Sequence, residues 1–203
     1  MPNWCATNIV FYGDKKQVKE LRERVIRICE STCPVPNGFG NRWLGHIQVD
    51  FGYDWENTRC RGEISFIDVE EKDDFRIEQI DAWGPNVEMW ETILKDHYPD
   101  VHLVYQADEP GCEIHINTDT KGEYFPDKYL LDISLSYESP AKVPPELTDG
   151  SNFFQTFDDL KKSVEVLTKR KFSNFIEMRN YIMDQTFDGY DFIGVYEYEG
   201  CCS

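Results

Sequence analysis

The sequence predicts an α+β fold, an antiparallel sheet carrying helices on one face, and three observations lead to it. Strand-like alternation recurs at Ile9-Val10-Phe11-Tyr12, at Phe75-x-Ile77 and at Val101-x-Leu103-x-Tyr105. Apolar stripes at the helical period of about 3.6 residues occupy 15–31 and 87–98. Turn residues, such as the charged run 70–74 and Pro110-Gly111, join several of the strands.

The elements follow in order. Ile9 and Phe11 face one way and Val10 and Tyr12 the other, the two-sided apolar pattern of a strand inside a sheet, and Gly13 ends it. Asp14 is placed to cap a helix to about Ser31, with Val18, Leu21, Val25, Ile28 and Cys29 on its buried stripe. Residues 33–40 hold Pro34, Pro36, Gly38 and Gly40 and predict a loop. Alternation of Ile47, Val49 and Phe51 predicts a strand over Gly45–Phe51. Ile64, Phe66 and Val69, then Phe75, Ile77 and Ile80, predict a hairpin about the charged turn. Trp83-Gly84-Pro85 introduces a helix carrying Val87, Trp90, Ile93, Leu94 and Tyr98, with Pro85 at its first position and Pro99 beyond its end. Val101, Leu103 and Tyr105 form the next strand; Cys112, Ile114 and Ile116 return after Pro110-Gly111; Leu131, Ile133 and Leu135 offer one more.

The resulting order, β-α-β-β-α-β with added strands, is the split βαβ or ferredoxin-like plan over residues 1–135. Residues 136–203 form a C-terminal α/β extension. In it, 136–152 is an irregular crossing, helices begin near Thr156 and Ser173, and a last strand holds Phe192, Ile193, Val195 and Tyr196.

Composition bounds the function. The 203 residues carry a formal charge of −17, which opposes a broad phosphate-binding surface, so no duplex DNA binding is expected. No apolar stretch approaches the ~20 residues of a membrane span and the N-terminus has no signal-like segment, so the protein is expected to be cytoplasmic and off the membrane. Seven cysteines without framework spacing predict reduced thiols. Motifs for dinucleotides, nucleoside triphosphates, serine hydrolases and zincins are missing from the sequence, and no cofactor is expected.

Met1-Pro2-Asn3-Trp4-Cys5 with Asn8, then Phe75-x-Ile77…Ala82-Trp83-x-Pro85, the helix with Trp90, and Tyr98-Pro99 before Tyr105-x3-Glu109-x-Gly111 together carry a family resemblance. Residues 1–135 resemble the YubB-type ferredoxin-like family, a bacterial domain of unknown function found on plasmids, prophages and other accessory regions. The resemblance implies a fold and a genomic setting, and no chemistry. This chain has Asn86 where the family has a second proline, and the family's internal Trp-Gly-rich segment has no counterpart.

Candidate sites are few. Cys5 sits in an apolar strand without a nearby base, so it is expected to pack and not to act as a nucleophile. Cys29-x3-Cys33 lacks the partners of a zinc site, and no metal is expected. Cys201-Cys202 reads as an oxidisable tail. His115 alternates with Glu113 and Asn117, and with Trp83, Tyr105 and Glu109 it composes a candidate partner or ligand face; Asp108 and Glu109 flank the Pro-Gly turn. Residues 63–81 hold eight acids and two bases, and Glu70, Glu71, Asp73 and Asp74 form a candidate acidic interaction face. Six bases lie on the helix 14–31, and Lys169-Arg170-Lys171 is a second short basic run. Tyr190, Tyr196 and Tyr198 lack the surrounding cations of a base-stacking surface.

The sequence therefore predicts a non-enzymatic binding or accessory module whose protein partner, if charged, is basic. An acidic DNA mimic is the second reading, and an enzyme using Cys5 or a Glu109/His115 face the third.

Overall fold

A computed structural model describes residues 3–32, 38–135, 143–184 and 192–200. It is α+β and divides into two compact units, Met1–Thr118 and Asp119–Ser203.

The first unit begins with β1 (Trp4–Gly13) and α1 (Lys15–Cys29). The Asp14 side chain accepts from the Gln17 backbone N–H at 3.0 Å, satisfying a donor that the first turn would leave open. Next come α2 (Leu44–Asp50), β2 (Gly62–Ile67), β3 (Phe75–Ala82), α3 (Glu88–His97), β4 (Val101–Glu109) and β5 (Ile114–Asn117). The sheet order is β2-β3-β1-β4-β5, with antiparallel pairing throughout. Ile9, Phe11, Phe75 and Ile77 pack with Val18, Leu21 and Val25 of α1 and Trp90 and Ile93 of α3 in one core. The indole of Trp90 meets the Phe11 ring edge-on at 5.2 Å.

Three local expectations change. Gly45–Phe51 lies in a helix and its first turn outward, not in a strand. Leu44, Ile47 and Phe51 are buried while Val49 is exposed, so the helical spacing of the apolar residues prevails over their alternation. Pro85 stands outside α3, whose N-cap is Val87, and the Asn86 N–H donates to Asp81 instead of entering the helix. Val69 lies beyond the end of β2 and is exposed.

The second unit holds β6 (Tyr129–Ser134), β7 (Gly150–Phe154), α4 (Phe157–Thr168), α5 (Phe175–Asp184) and β8 (Phe192–Glu197). Its sheet runs β7-β6-β8, again antiparallel. Leu131, Ile133, Leu160, Val164, Met178 and Ile193 are among its core. The sequence boundary at 135/136 is thus displaced: β6, assigned to the first domain, pairs only with β7 and β8 among the described strands. The segment 136–152, read as an irregular crossing, contains the start of β7. Thr156 caps α4 by accepting from the Asp159 N–H at 3.2 Å.

Candidate functional site

The acidic run lies in the connection from β2 to β3, and α1 lies within reach of it. Lys15 Nζ is 2.6 Å from Asp73, Lys19 Nζ 3.9 Å from Glu71, Lys72 Nζ 2.7 Å from Glu70 and Arg76 Nε 2.8 Å from Asp74. The buried Arg22 guanidinium donates at 2.6 Å to the carbonyls of both Lys72 and Asp74. Each of the four acids therefore has a cation beside it, Lys15 and Lys19 from the basic helix for Asp73 and Glu71, and Lys72 and Arg76 for Glu70 and Asp74. In the second unit the basic run is engaged similarly: Lys171 Nζ is 2.6 Å from Glu165, and Arg170 is 3.6 Å from Glu177 and lies over the Tyr181 ring.

The face composed of Trp83, Tyr105, Glu109, Glu113 and His115 does not assemble. Tyr105 is in register with Ile9, on the helix-packed side of the sheet. Alternation puts Glu109 on that same side and Asp108 on the other. His115 is opposite Asp108, so Glu109 and His115 occupy opposite faces. Glu113 precedes β5 with φ +54°, which removes it from the alternation of His115 and Asn117, and Trp83 follows β3 with φ +71° and an exposed ring. What does meet is His115 Nδ1 and Asp108 Oδ1, at 2.9 Å.

Cys5 is fully buried, and burial pushes its thiol up to about 11. It adjoins a polar cluster beneath α3. Asp81 Oδ2 accepts from Thr7 Oγ1 at 2.9 Å, from Gln79 Nε2 at 2.8 Å and from the Asn86 N–H at 3.1 Å. Trp90 Nε1 in turn donates to Gln79 Oε1 at 2.9 Å. Burial raises the Asp81 carboxyl above the ordinary carboxylate range despite these three donors, because the charged form loses its water. The cluster ties β1, β3 and α3 together. Cys33, Cys201, Cys202 and Tyr190 lie outside the described residues. Among the described residues no three His, Cys, Asp or Glu side chains converge as metal ligands, and no helix is long and apolar enough to cross a membrane.

A concave site of the first unit lies elsewhere. A groove of about 930 Å3 runs beside β2, walled by Trp4, Phe39, Trp43 and Trp55. Its sheet-side residues follow from register. Trp4 is opposite Ala82 and Glu63 is opposite Ile80, so all four project from the face turned away from α1 and α3. The other wall comes from the segments around α2. Trp43 bridges to Glu63, and the Ile64 N–H donates to Arg42 O at 2.9 Å, which fastens this segment along the outer edge of β2.

Gly45 completes the wall. A β-carbon there would come within 2.3 Å of the Trp43 indole, so only glycine lets the ring lie across the start of α2. Trp55 stands at the head of a short turn in which Asp54 accepts from the Glu56 N–H at 3.0 Å. Arg59 fastens the following residues to the end of β3 by donating to Ala82 O at 3.3 Å and Gly84 O at 3.1 Å.

The rings are close and inclined to one another. Phe39 and Trp43 have centroids 5.1 Å apart at 45°, and Trp43 and Trp55 5.2 Å apart at 70°. Trp4 and Phe39 are each 57% exposed. Glu56, Arg61 and Glu63 supply the groove's charges, and none of the three is in an ion pair among the described residues. Cys60, also on the lining, is buried, and burial raises its thiol pKa. The groove can hold apolar or aromatic matter beside a few charges.

Sequence reasoning passed over Phe39, Trp43 and Trp55. The available signal was three large aromatics within segments that had no periodic apolar partner to bury them. The chain matches no family model, and no curated protein or solved structure is significantly similar to it.

Proposed function

We propose that the chain is a non-enzymatic binding module that engages a partner through the aromatic groove of its first unit. The observation carrying this reading is the set of four aromatic side chains on one concavity of about 930 Å3, two of them more than half exposed. Exposed aromatic surface in a groove of this size is typical of a recognition site, since ring faces contribute large contact area with few rotatable bonds. The antiparallel order β2-β3-β1-β4 supports a ferredoxin-like plan for the first unit. With the N-terminal resemblance, it supports an accessory protein of mobile bacterial elements. The cations beside Glu70, Glu71, Asp73 and Asp74 weigh against a row of carboxylates standing in for DNA phosphates.

The test is selection of a displayed random-peptide library on the full chain, followed by measurement of selected peptides on Trp4→Ala and Phe39→Ala. Both residues are exposed, so folding is unaffected. Peptides that lose at least about tenfold in affinity on either variant, about 1.4 kcal/mol, support the groove. Selected peptides indifferent to both substitutions, or a library that yields none, refute it.

A further inference from the structure

Resting on the groove reading above, we infer that the occupant is an extended, proline-containing segment of a partner protein that carries an arginine or lysine. Three features of the groove lead to this chemistry. The first is its backbone. A peptide can join a sheet only where an edge strand offers free N–H and C=O groups, and here the outer edge of β2 is already engaged by Arg42 and Trp43. A polyproline II segment needs no such ladder, because its backbone makes no regular hydrogen bonds and its preformed conformation limits the ordering cost.

The second is the wall. Phe39, Trp43 and Trp55 form a series of inclined rings 5.1 Å and 5.2 Å apart; Trp43 is buried and backs the wall, while Trp4 and Phe39 present the exposed ring faces. Proline rings pack flat against indole faces, and aromatic-lined grooves are the recurring receptors of such segments.

The third is charge. Glu56 and Glu63 face the groove with no ion-pair partner among the described residues, against the single Arg61 of its lining, in a chain of net charge −17. A cation entering there gains both a carboxylate and the negative face of an indole. Single-stranded nucleic acid also stacks on aromatic rings, but it requires a groove whose net charge is positive. The carboxylates oppose that occupant.

The experiment measures fluorescence anisotropy of the full chain with a labelled nonapeptide of three Pro-Pro-Arg repeats. Controls are the same peptide with glutamate for arginine, the same with alanine for proline, and a labelled ten-residue oligothymidylate. The expected result is binding of the Pro-Pro-Arg peptide that weakens with added salt, with at least tenfold loss on either control peptide. Trp4→Ala and Glu63→Gln, both exposed positions, should each weaken it severalfold, and Glu63→Gln should also flatten its salt dependence. Equal binding of the glutamate peptide, tighter binding of the oligothymidylate, indifference to both substitutions, or no binding at about 1 mM peptide, a threshold near −4 kcal/mol, overturns the inference. Groove-dependent peptides from the displayed library that lack proline and basic residues would overturn it while leaving the groove reading intact; a library with no groove-dependent peptide removes both.

Discussion

Trp90 offers a quantitative test of how the first unit is held together. Its side chain is fully buried, it contacts Phe11 edge-on at 5.2 Å, and its Nε1–H donates to Gln79 at 2.9 Å. Truncation to alanine removes the indole and leaves a cavity between β1 and α3, a change that costs about 3–5 kcal/mol for a buried tryptophan. It also strips Gln79, itself fully buried, of the donor to its carbonyl oxygen, adding about 1–3 kcal/mol unless water fills the space. Against the about 5–15 kcal/mol that stabilises an ordinary domain, the sum is a large fraction. Trp90→Phe helps to separate the two effects, since it loses the N–H but only part of the apolar volume. The assay is denaturant unfolding of the full chain followed by tryptophan fluorescence. All five tryptophans, at 4, 43, 55, 83 and 90, lie in Met1–Thr118, so the signal reports that unit alone. Expected are a loss of at least about 3 kcal/mol for the alanine variant and a distinctly smaller one for phenylalanine. A loss below about 1 kcal/mol for alanine, the scale of an ordinary surface change, would show that the packing argument is wrong.

Three further outcomes follow from the same geometry. Burial raises the Asp81 pKa, so the folded chain holds this proton more tightly than the unfolded one. The resulting stability is complete below the unfolded value near 4 and is lost as pH rises through the raised folded value. Asp81→Asn, which keeps an acceptor toward Thr7, Gln79 and Asn86, should therefore gain in urea midpoint relative to the parent as pH rises from about 4 to about 7; a constant difference would contradict the assignment. Gly45→Ala should displace the Trp43 indole, at about 1–3 kcal/mol of overpacking partly offset by the better helix propensity of alanine. A crystal structure with Trp43 unmoved would refute that prediction. Among Cys5, Cys29, Cys60 and Cys112, only Cys112 is exposed, and it should be alkylated first under native conditions, as read by peptide mass spectrometry. Modification of Cys5 at the rate of Cys112 would show that β1 opens or that its thiol is activated.

Where a side chain pattern had one physical interpretation, the sequence was informative. The helix 15–29 was legible because Val18, Leu21, Val25 and Ile28 fit only a helical stripe and Asp14 stands at its cap. The seven residues of α2 were not, since Leu44, Ile47 and Phe51 fit a short helix while Ile47, Val49 and Phe51 fit a strand; burial against the core decides between them. The placement of β6 was not legible either. Alternation declares a strand but not its neighbours, and those are set by β7 and β8 far along the chain. The same limit applied to the site. His115 and Asp108 meet through a register that no local pattern encodes, and the groove draws Trp4, Phe39, Trp43 and Trp55 from three segments, two of which have no periodicity.

The notch that Gly45 leaves for Trp43 bears on how the groove would respond to an occupant. An indole seated in a space shaped for it, its own backbone bridged to Glu63, has its orientation fixed before any ligand arrives. Association would then require little ordering of that wall, and its apolar surface would begin partly dehydrated. For such a preformed site calorimetry should record a favourable enthalpy near room temperature with a negative change in heat capacity, and not the entropy-dominated profile of two flexible apolar surfaces closing on each other.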